Sequence, residues 1–317
     1  MSDVQARTGT GFRQFFGLSR MTHSVLDVAH PSVGAALAAV VLGGPPSART
    51  IILGLIAGFA GYTSVFALND VFDLKEDREK MLRYQSDRKT FDIDSVGQRH
   101  PLAQGRLSYG AAVAWVASWG LLSLVLAFML RPSCAVFLLG AFILEAAYCK
   151  LLRVTHWKGL LSGLMVGVGG LAGVWAITPV PGLGMVIVFF AWAFAWEVGC
   201  RNIPNDWSDI DEDVHLGIRT VPVRYGRKGA SLISFVIVCA TAVLGLVFPL
   251  VVPMPLGWAY TAATVLVSAY FLIIPAIRWQ REQTTASALA FFNLACFYPL
   301  AVFVVLTIAI LAGRGLV

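Results

Sequence analysis

Six stretches of this chain contain no Asp, Glu, Lys or Arg: residues 28–48, 50–69, 107–130, 159–196, 229–277 and 283–313. A helix crosses the hydrocarbon core of a bilayer with about 20 apolar residues, so these runs read as membrane spans. The two longest exceed a single crossing. Each is broken by turn formers, TPVPGLG at 178–184 and PLVVPMPLG at 249–257, and so divides into a helical hairpin. Residues 132–152, interrupted by Glu145 and near their end by Lys150, bring the number of spans to nine. A chain that is 57% hydrophobic and 13% charged has too little polar surface for a soluble domain of 317 residues. The expected fold is an all-α polytopic membrane protein, with nine transmembrane helices in a single bundle around a central cavity. The bundle is expected over 25–317, after a polar segment, 1–24, that lacks the apolar core of a signal peptide.

Basic residues orient the spans, because Lys and Arg collect on the cytoplasmic side. With the N-terminus inside, 21 of the 24 Lys and Arg fall on the inner side, and only Arg49, Arg131 and Arg314 fall outside. The expectation is a multi-pass protein of the inner, cytoplasmic membrane with a cytoplasmic N-terminus. Its net charge of +6 then reflects topology and attraction to anionic lipid, and gives no reason to expect a nucleic-acid partner. The five cysteines lie singly in or near apolar runs without metal-ligand spacing and read as small buried hydrophobes.

One device occurs twice. Residues 69–77 read NDVFDLKED and residues 205–213 read NDWSDIDED, both fitting N-D-x-x-D-x-x-x-D. They follow the second and sixth spans, within loops 75–107 and 201–228, and therefore face the same compartment. On an α-helix, positions i, i+3 and i+7 return to within about 60° of one another. Asp70, Asp73 and Asp77 thus form one acidic stripe, and Asp206, Asp209 and Asp213 a second. Carboxylates one turn apart repel, and the last turn of a helix favours cations, so a bound cation is expected at each stripe. Mg²⁺, with Mn²⁺ as a substitute, suits hard oxygen ligands and leaves coordination positions for water and phosphate. A solvated helix end explains one such cluster. Thirteen of the 18 acidic residues falling in two loops argues for a site.

These motifs, their positions after spans 2 and 6, and the nine spans make the chain resemble the UbiA superfamily of intramembrane prenyltransferases. Asn69, Asp70, Asp73 and Asp77 match its first motif in full, and Asp206, Asp209, Asp213, Gly217, Thr220 and Pro222 match its second, DxxDxxxDxxxGxxTxP. The R-P-L-x-x-G-x-x-S element of the family is matched loosely by RHPLAQGRLS at 99–108, in which His100 intrudes between Arg99 and Pro101. Tyr148, Lys150, Arg153 and Lys158 resemble its Tyr and basic residues after the fourth span.

The resemblance implies a Mg²⁺-dependent transferase. It would ionise a polyprenyl diphosphate donor to an allylic carbocation and pass the prenyl group to an aromatic, quinone-precursor-like acceptor or another lipophilic one. The donor chain would lie in a lipid-facing tunnel and its head between the stripes, near the cytoplasmic face. Two or three of Arg99, Arg106, Lys150, Arg153 and Lys158 would contact the diphosphate. Two other activities fit the same fold, a membrane terpene cyclase and a polyprenyl-phosphate sugar transferase. A cation-coupled transporter is the alternative from another class, opposed by carboxylates that sit at helix ends rather than at the midplane.

Other residues are weighed singly. Asn202, four before Asp206, is expected to orient the acceptor or a metal-bound water. Glu197 and Arg201 are expected to pair within one helix, and Glu145 lies deeper, needing a partner or a function. His100, His156 and His215 read as solvated loop residues. The glycines of GLMVGVGGLAG at 163–173 serve close helix packing. Residues 78–98 form a long polar connection that is either a lid over the diphosphate or a plain loop.

Overall fold

The structure, a computed structural model, describes residues 11–42, 45–83, 93 and 100–315. Among these there is no strand. In chain order the helices are α1 (Phe12–Leu18), α2 (Met21–Leu26), α3 (Ala29–Ala39), α4 (Ala48–Phe72), α5 (Leu74–Arg83), α6 (Tyr109–Leu130), α7 (Pro132–Lys150) and α8 (Lys158–Ile177). Then come α9 (Leu183–Ala195), α10 (Ile203–Ser208), α11 (Ile210–Leu216), α12 (Val221–Val251), α13 (Gly257–Ser268), α14 (Ile274–Glu282), α15 (Thr285–Ala295) and α16 (Tyr298–Gly313). They make nine spans long and apolar enough to cross a membrane among the described residues.

Four helix starts are dictated by a local cap. Ser47, Ser108, Thr220 and Thr284 each accept a hydrogen bond from the backbone three residues on, satisfying one of the donors a helix N-terminus leaves open. Two spans widen midway into π-helix, at Trp196–Asn202 and Ala269–Ile273. Each wide turn runs into a proline, Pro204 or Pro275. Proline has no N–H to offer the preceding turn and its ring crowds the carbonyl four residues back, and the extra residue of a π turn relieves both. Pro299 likewise separates α15 from α16 inside the last charge-free run.

The first span differs from expectation. It begins at Met21, seven residues before the charge-free run, and carries buried His23, Asp27 and His30 into the bundle. Charge marks a span boundary only when the charged group meets water. Asp27 instead meets Arg201 of the sixth span at 2.7 Å, a desolvated ion pair.

Packing inside a bilayer relies on close backbone approach, because lipid tails are as apolar as leucine. The glycine-rich α8 uses it fully. Cβ atoms on Gly163 and Gly167 would press into the side chains of α9 and the turn after it, and one on Gly173 would coincide with the carbonyl of Pro31 on α3. The large core is built from Phe189, Trp192, Trp196, Trp207, Phe248, Tyr260, Trp279 and Tyr298. By contrast, α6 exposes Leu121, Val125 and Phe128, as a helix at the lipid boundary does.

Gly173→Ala should therefore destabilise the detergent-solubilised protein by about 1–3 kcal/mol, the cost of overpacking. Gly54→Ala, where nothing lies within 4 Å of the added methyl, should leave the unfolding midpoint unchanged or raise it. Equal midpoints for the two variants would show that the α3–α8 contact is looser than described.

Candidate active site

Spans 2 and 6 end on the same side of the bundle, and α5 packs against α11 there. Both acidic motifs depart from the continuous helical stripe, and in the same way: the helix breaks at the central carboxylate. Asp73 ends α4 at φ −88°, ψ 7°, and Asp209 ends α10 at φ −106°, ψ 7°, both in the sparsely populated bridge region. Backbone bonds from Asp77 to Asp73 and from Asp213 to Asp209 carry the chain across each break. The kinks turn Asp73, Asp77, Asp206, Asp209 and Asp213 into one polar cleft of about 730 Å³ including its mouth. Asp70 lies just behind it, beside His100. The break at Asp73 also brings in Glu76, which an unbroken stripe would have faced away.

Four cationic side chains meet these carboxylates. Lys80 Nζ is 3.3 Å from Asp213 and 3.8 Å from Asp209, joining the two motifs. Lys158 Nζ, almost fully buried, is 3.5 Å from Asp206, donates to Tyr148 Oη at 3.1 Å and lies over the Tyr148 ring. Arg20 is 3.7 Å from Asp70. His100 Nδ1 is 2.9 Å from Asp77 and 3.3 Å from Asp70.

Burial and charge shift the groups outside the spans. Burial, reinforced by Asp77, pushes Asp73 up to about 7 despite Lys158. Burial also raises Asp213 to about 7, with Lys80 opposing and Asp206 and Asp209 adding to it. For Lys80 burial acts downward, but Asp209 and Asp213 outweigh it and the pKa rises. His100 behaves the same way: burial lowers it, Asp77 and Asp70 prevail, and it reaches about 9.

A second cavity shares Arg20, Asn69, Tyr148 and Asn205 with the cleft and continues deeper. Its wall carries Asp27, Glu145, Glu197, Arg201 and Asn202 among Tyr62, Phe66 and Phe292. Asn69 donates to Glu145 at 3.1 Å, which supplies the partner Glu145 lacks in sequence. Glu197 accepts from Ser162 at 2.6 Å and lies 3.6 Å from Arg201, the expected i,i+4 pair, although the shorter contact of Arg201 is to Asp27. Asn202 donates to Tyr148 at 3.4 Å and so lines this cavity rather than the carboxylate cleft. A third, apolar cavity follows. It shares Tyr62, Val65, Met165 and Val166 with the second and is walled by small and aliphatic residues of α4, α6, α7 and α8.

Of the basic residues expected to contact the diphosphate, Lys158 reaches the cleft, beside Tyr148, and three do not. Lys150 is exposed, two residues and about 200° round the helix from Tyr148. Arg106 is exposed on a turn closed by Gly105. Arg153 pairs with Glu76 at 3.4 Å and Glu79 at 3.3 Å outside the cleft. Arg99 and most of the proposed lid, 78–98, lie outside the described residues, although within that segment Ile93 is buried and its N–H donates to Asn293. His215 is exposed, as expected. His100 is not: it is half-buried, with Nδ1 between two carboxylates, because Pro101 and the buried Leu102 fold the segment back onto α4 and α6.

Seven carboxylates facing five cations, Arg153 at Glu76 added to the four above, leave the cleft with excess negative charge. Asp70 Oδ1 and Asp77 Oδ2 are shut from solvent and are met by charged groups, Arg20 and His100 at Asp70 and His100 at Asp77. Hard oxygen donors and surplus negative charge fit a divalent cation such as Mg²⁺ or Mn²⁺.

Comparison with known proteins agrees with this architecture. The description of the UbiA prenyltransferase family matches residues 30–297. Digeranylgeranylglyceryl phosphate synthase of Thermococcus kodakarensis is 23% identical over 93% of this chain and 98% of its own length. That of Thermococcus sibiricus is 26% identical over 68% of this chain and 70% of its own. The apo structure of a UbiA homologue from Aeropyrum pernix superposes with a TM-score of 0.71 at 21% identity, covering 90% of this chain and 97% of that one. A UbiA homologue from Archaeoglobus fulgidus bound to DMAPP and Mg²⁺ gives 0.65 at 18% identity, covering 93% and 99%.

With Asp73 and Asp213 near 7, a metal entering at pH 6 must displace protons that are already gone at pH 8. Calorimetric Mg²⁺ titrations in two buffers of different ionisation enthalpy should show proton release below pH 7, and affinity rising about tenfold or more from pH 6 to 8. A flat affinity over that range would place both carboxylates outside the coordination sphere.

Proposed function

Since this chain belongs to the UbiA prenyltransferase family, we propose that it transfers the prenyl group of a prenyl diphosphate to a hydroxyl of a lipophilic acceptor, with Mg²⁺ as cofactor. The observation that carries this reading is the convergence of both acidic motifs on one cleft that runs into a polar and then an apolar cavity. A prenyl diphosphate has that polarity along its length. The positive-inside count supports a cleft at the cytoplasmic face of the cytoplasmic membrane.

Asp70, Asp73, Asp77, Asp206, Asp209 and Asp213 would hold the cofactor, partly through water and diphosphate oxygens. The chemistry supplied by Mg²⁺ when bound there would be Lewis-acid withdrawal of electron density from the departing diphosphate. Lys158, Lys80 and Arg20 meet the charge that develops on the leaving diphosphate. Lys158 is preorganised for this, fixed by Tyr148 and Asp206 in a nearly water-free position. The electron-rich face of Tyr148, with Asn69 and Asn202 beside it, borders the place where the allylic carbon separates. Tyr62, Val65 and Phe66 keep water from that carbon, and the apolar cavity takes the tail.

The acceptor belongs in the middle cavity. Glu197 Oε2 and Asp27 Oδ1 are buried there without a hydrogen bond, and each is placed to take the proton that an acceptor hydroxyl gives up as it attacks. The relatives' name specifies a glyceryl phosphate carrying two geranylgeranyl groups, which favours an alcohol over an aromatic quinone precursor.

Purified protein given labelled prenyl diphosphate should form an acid-stable prenyl ether with a lipophilic alcohol, stop in EDTA and recover with Mg²⁺. Diphosphate release without any acceptor would identify a cyclase, and full activity in chelator would remove the metal.

Asp73→Asn and Asp209→Asn should each lower turnover by about 100-fold or more. The double variant should be scarcely worse, as groups acting as a unit are non-additive. Asp211, exposed and paired with Arg227 at 2.7 Å, should tolerate Asn. Losses that multiply, or an Asp211→Asn variant as impaired as Asp209→Asn, would argue against one shared clamp.

A further inference from the structure

The two halves of the cleft are not chemically alike. Around Asp206, Asp209 and Asp213 the neighbours are carboxylate oxygens and the ammonium groups of Lys80 and Lys158. Around Asp70 and Asp77 there is a ring nitrogen. Asp70 Oδ1, Asp77 Oδ2 and His100 Nδ1 all lie within 4.8 Å of one another. The two nitrogen–oxygen separations, 2.9 and 3.3 Å, bracket the about 3.0 Å expected between adjacent ligands of an octahedral ion with bonds near 2.1 Å. Asp70 and Asp77 are 2% and 8% exposed, and the oxygens they turn toward His100 are shut from solvent, with Arg20 a further contact of Asp70 at 3.7 Å. Buried carboxylates are costly unless a cation balances them, and protonated His100 does so where no metal is bound.

The position of His100 is built rather than incidental. Its backbone is left-handed, at φ 51°, a conformation that residues other than glycine seldom adopt and that the surroundings must enforce. They do so through a compact turn. His100 O accepts from Gln104 N and Pro101 O from Arg106 N, and Leu102 and Leu107 are buried against Leu18, Ala67 and Ala112. In sequence this is the residue that intrudes between Arg99 and Pro101.

We propose that Asp70, Asp77 and His100 form a mixed nitrogen–oxygen metal site that prefers a first-row transition ion to Mg²⁺, while the second motif remains an all-oxygen Mg²⁺ site. Imidazole favours such ions over Mg²⁺, for which carboxylate, carbonyl and water are the fitting ligands. A bound metal would take the place of the His100 ring proton, and two carboxylate oxygens and one nitrogen would leave the remaining octahedral positions to water and to diphosphate oxygens. The chain thereby distinguishes its two cations by ligand type. This inference rests on the reading of the cleft as a metal-assisted diphosphate site, but metal binding alone tests it.

Mn²⁺ is the probe, added to full-length purified protein freed of any His tag and of imidazole. Pulsed EPR should show ¹⁴N coupling from a directly bound ring nitrogen in the parent and in Asp209→Asn, and none in His100→Asp, which keeps an all-oxygen set. Competition titrations should show Mn²⁺ favoured over Mg²⁺ in the parent, with that preference falling about tenfold in His100→Asp. Absence of ¹⁴N coupling in the parent, or a preference unchanged by His100→Asp, overturns the proposal, and the first measurement needs no variant to fold. Nitrogen-coupled Mn²⁺ in a protein that transfers no prenyl group would sink the proposed function alone. Prenyl transfer with Mg²⁺ and no nitrogen coupling would sink the metal site alone.

Discussion

Carboxylates that share a cleft repel one another, and in this protein seven of them do so at the edge of an apolar bundle. At an effective dielectric of 20, two like charges 4 Å apart cost about 4 kcal/mol. The arrangement persists because six of the seven pair with a cationic group, Glu76 with Arg153 and the rest with side chains from far apart in the chain: Arg20 before the first span, Lys80 after the second, His100 before the third and Lys158 at the start of the fifth. The fold's task is to bring these four segments to one end of nine helices. The tryptophan-rich core and the glycine face of α8 make the bundle rigid enough for that placement to hold.

The nine spans and the pairing of the motifs were legible because bilayer thickness imposes a length that composition displays, and because an even number of crossings separates the motifs. Lys80 was legible too, though unread: it continues the stripe at the next i+3 step after Asp77. Asp27 and Arg20 were not, since their meaning depends on partners 174 and 50 residues away. Neither were the kinks at Asp73 and Asp209, which come from the ends of packed helices rather than from any residue that breaks helices on its own. His100 was misread for a related reason: a histidine in a polar loop looks solvated until buried Leu102 is seen to draw the loop inward.

The three cavities impose an order on the substrates. They are joined end to end through shared side chains, so a donor whose head fills the cleft and whose tail fills the apolar cavity passes through the middle one. The acceptor then finds the middle cavity narrowed by the donor's own chain. Selectivity for the acceptor is in part selectivity for what fits beside that chain, and the polar groups of Glu197, Arg201 and Asn202 contact only what remains open.

The buried pair of Asp27 and Arg201 also bears on how the bundle is made. The two residues are separated by 174 positions. At about 5–20 residues per second of synthesis, Asp27 leaves the ribosome on the order of 10–35 s before its partner exists. An aspartate at the centre of a lone span costs about 3 kcal/mol to insert, and Asp27, nearer the start of the span Met21–Leu42, bears part of that cost. During that interval the first span lacks the charge that justifies its depth. Its final seating, and with it the floor of the middle cavity, is completed only when the sixth span arrives, so the site closes last in the half of the protein that is synthesised first.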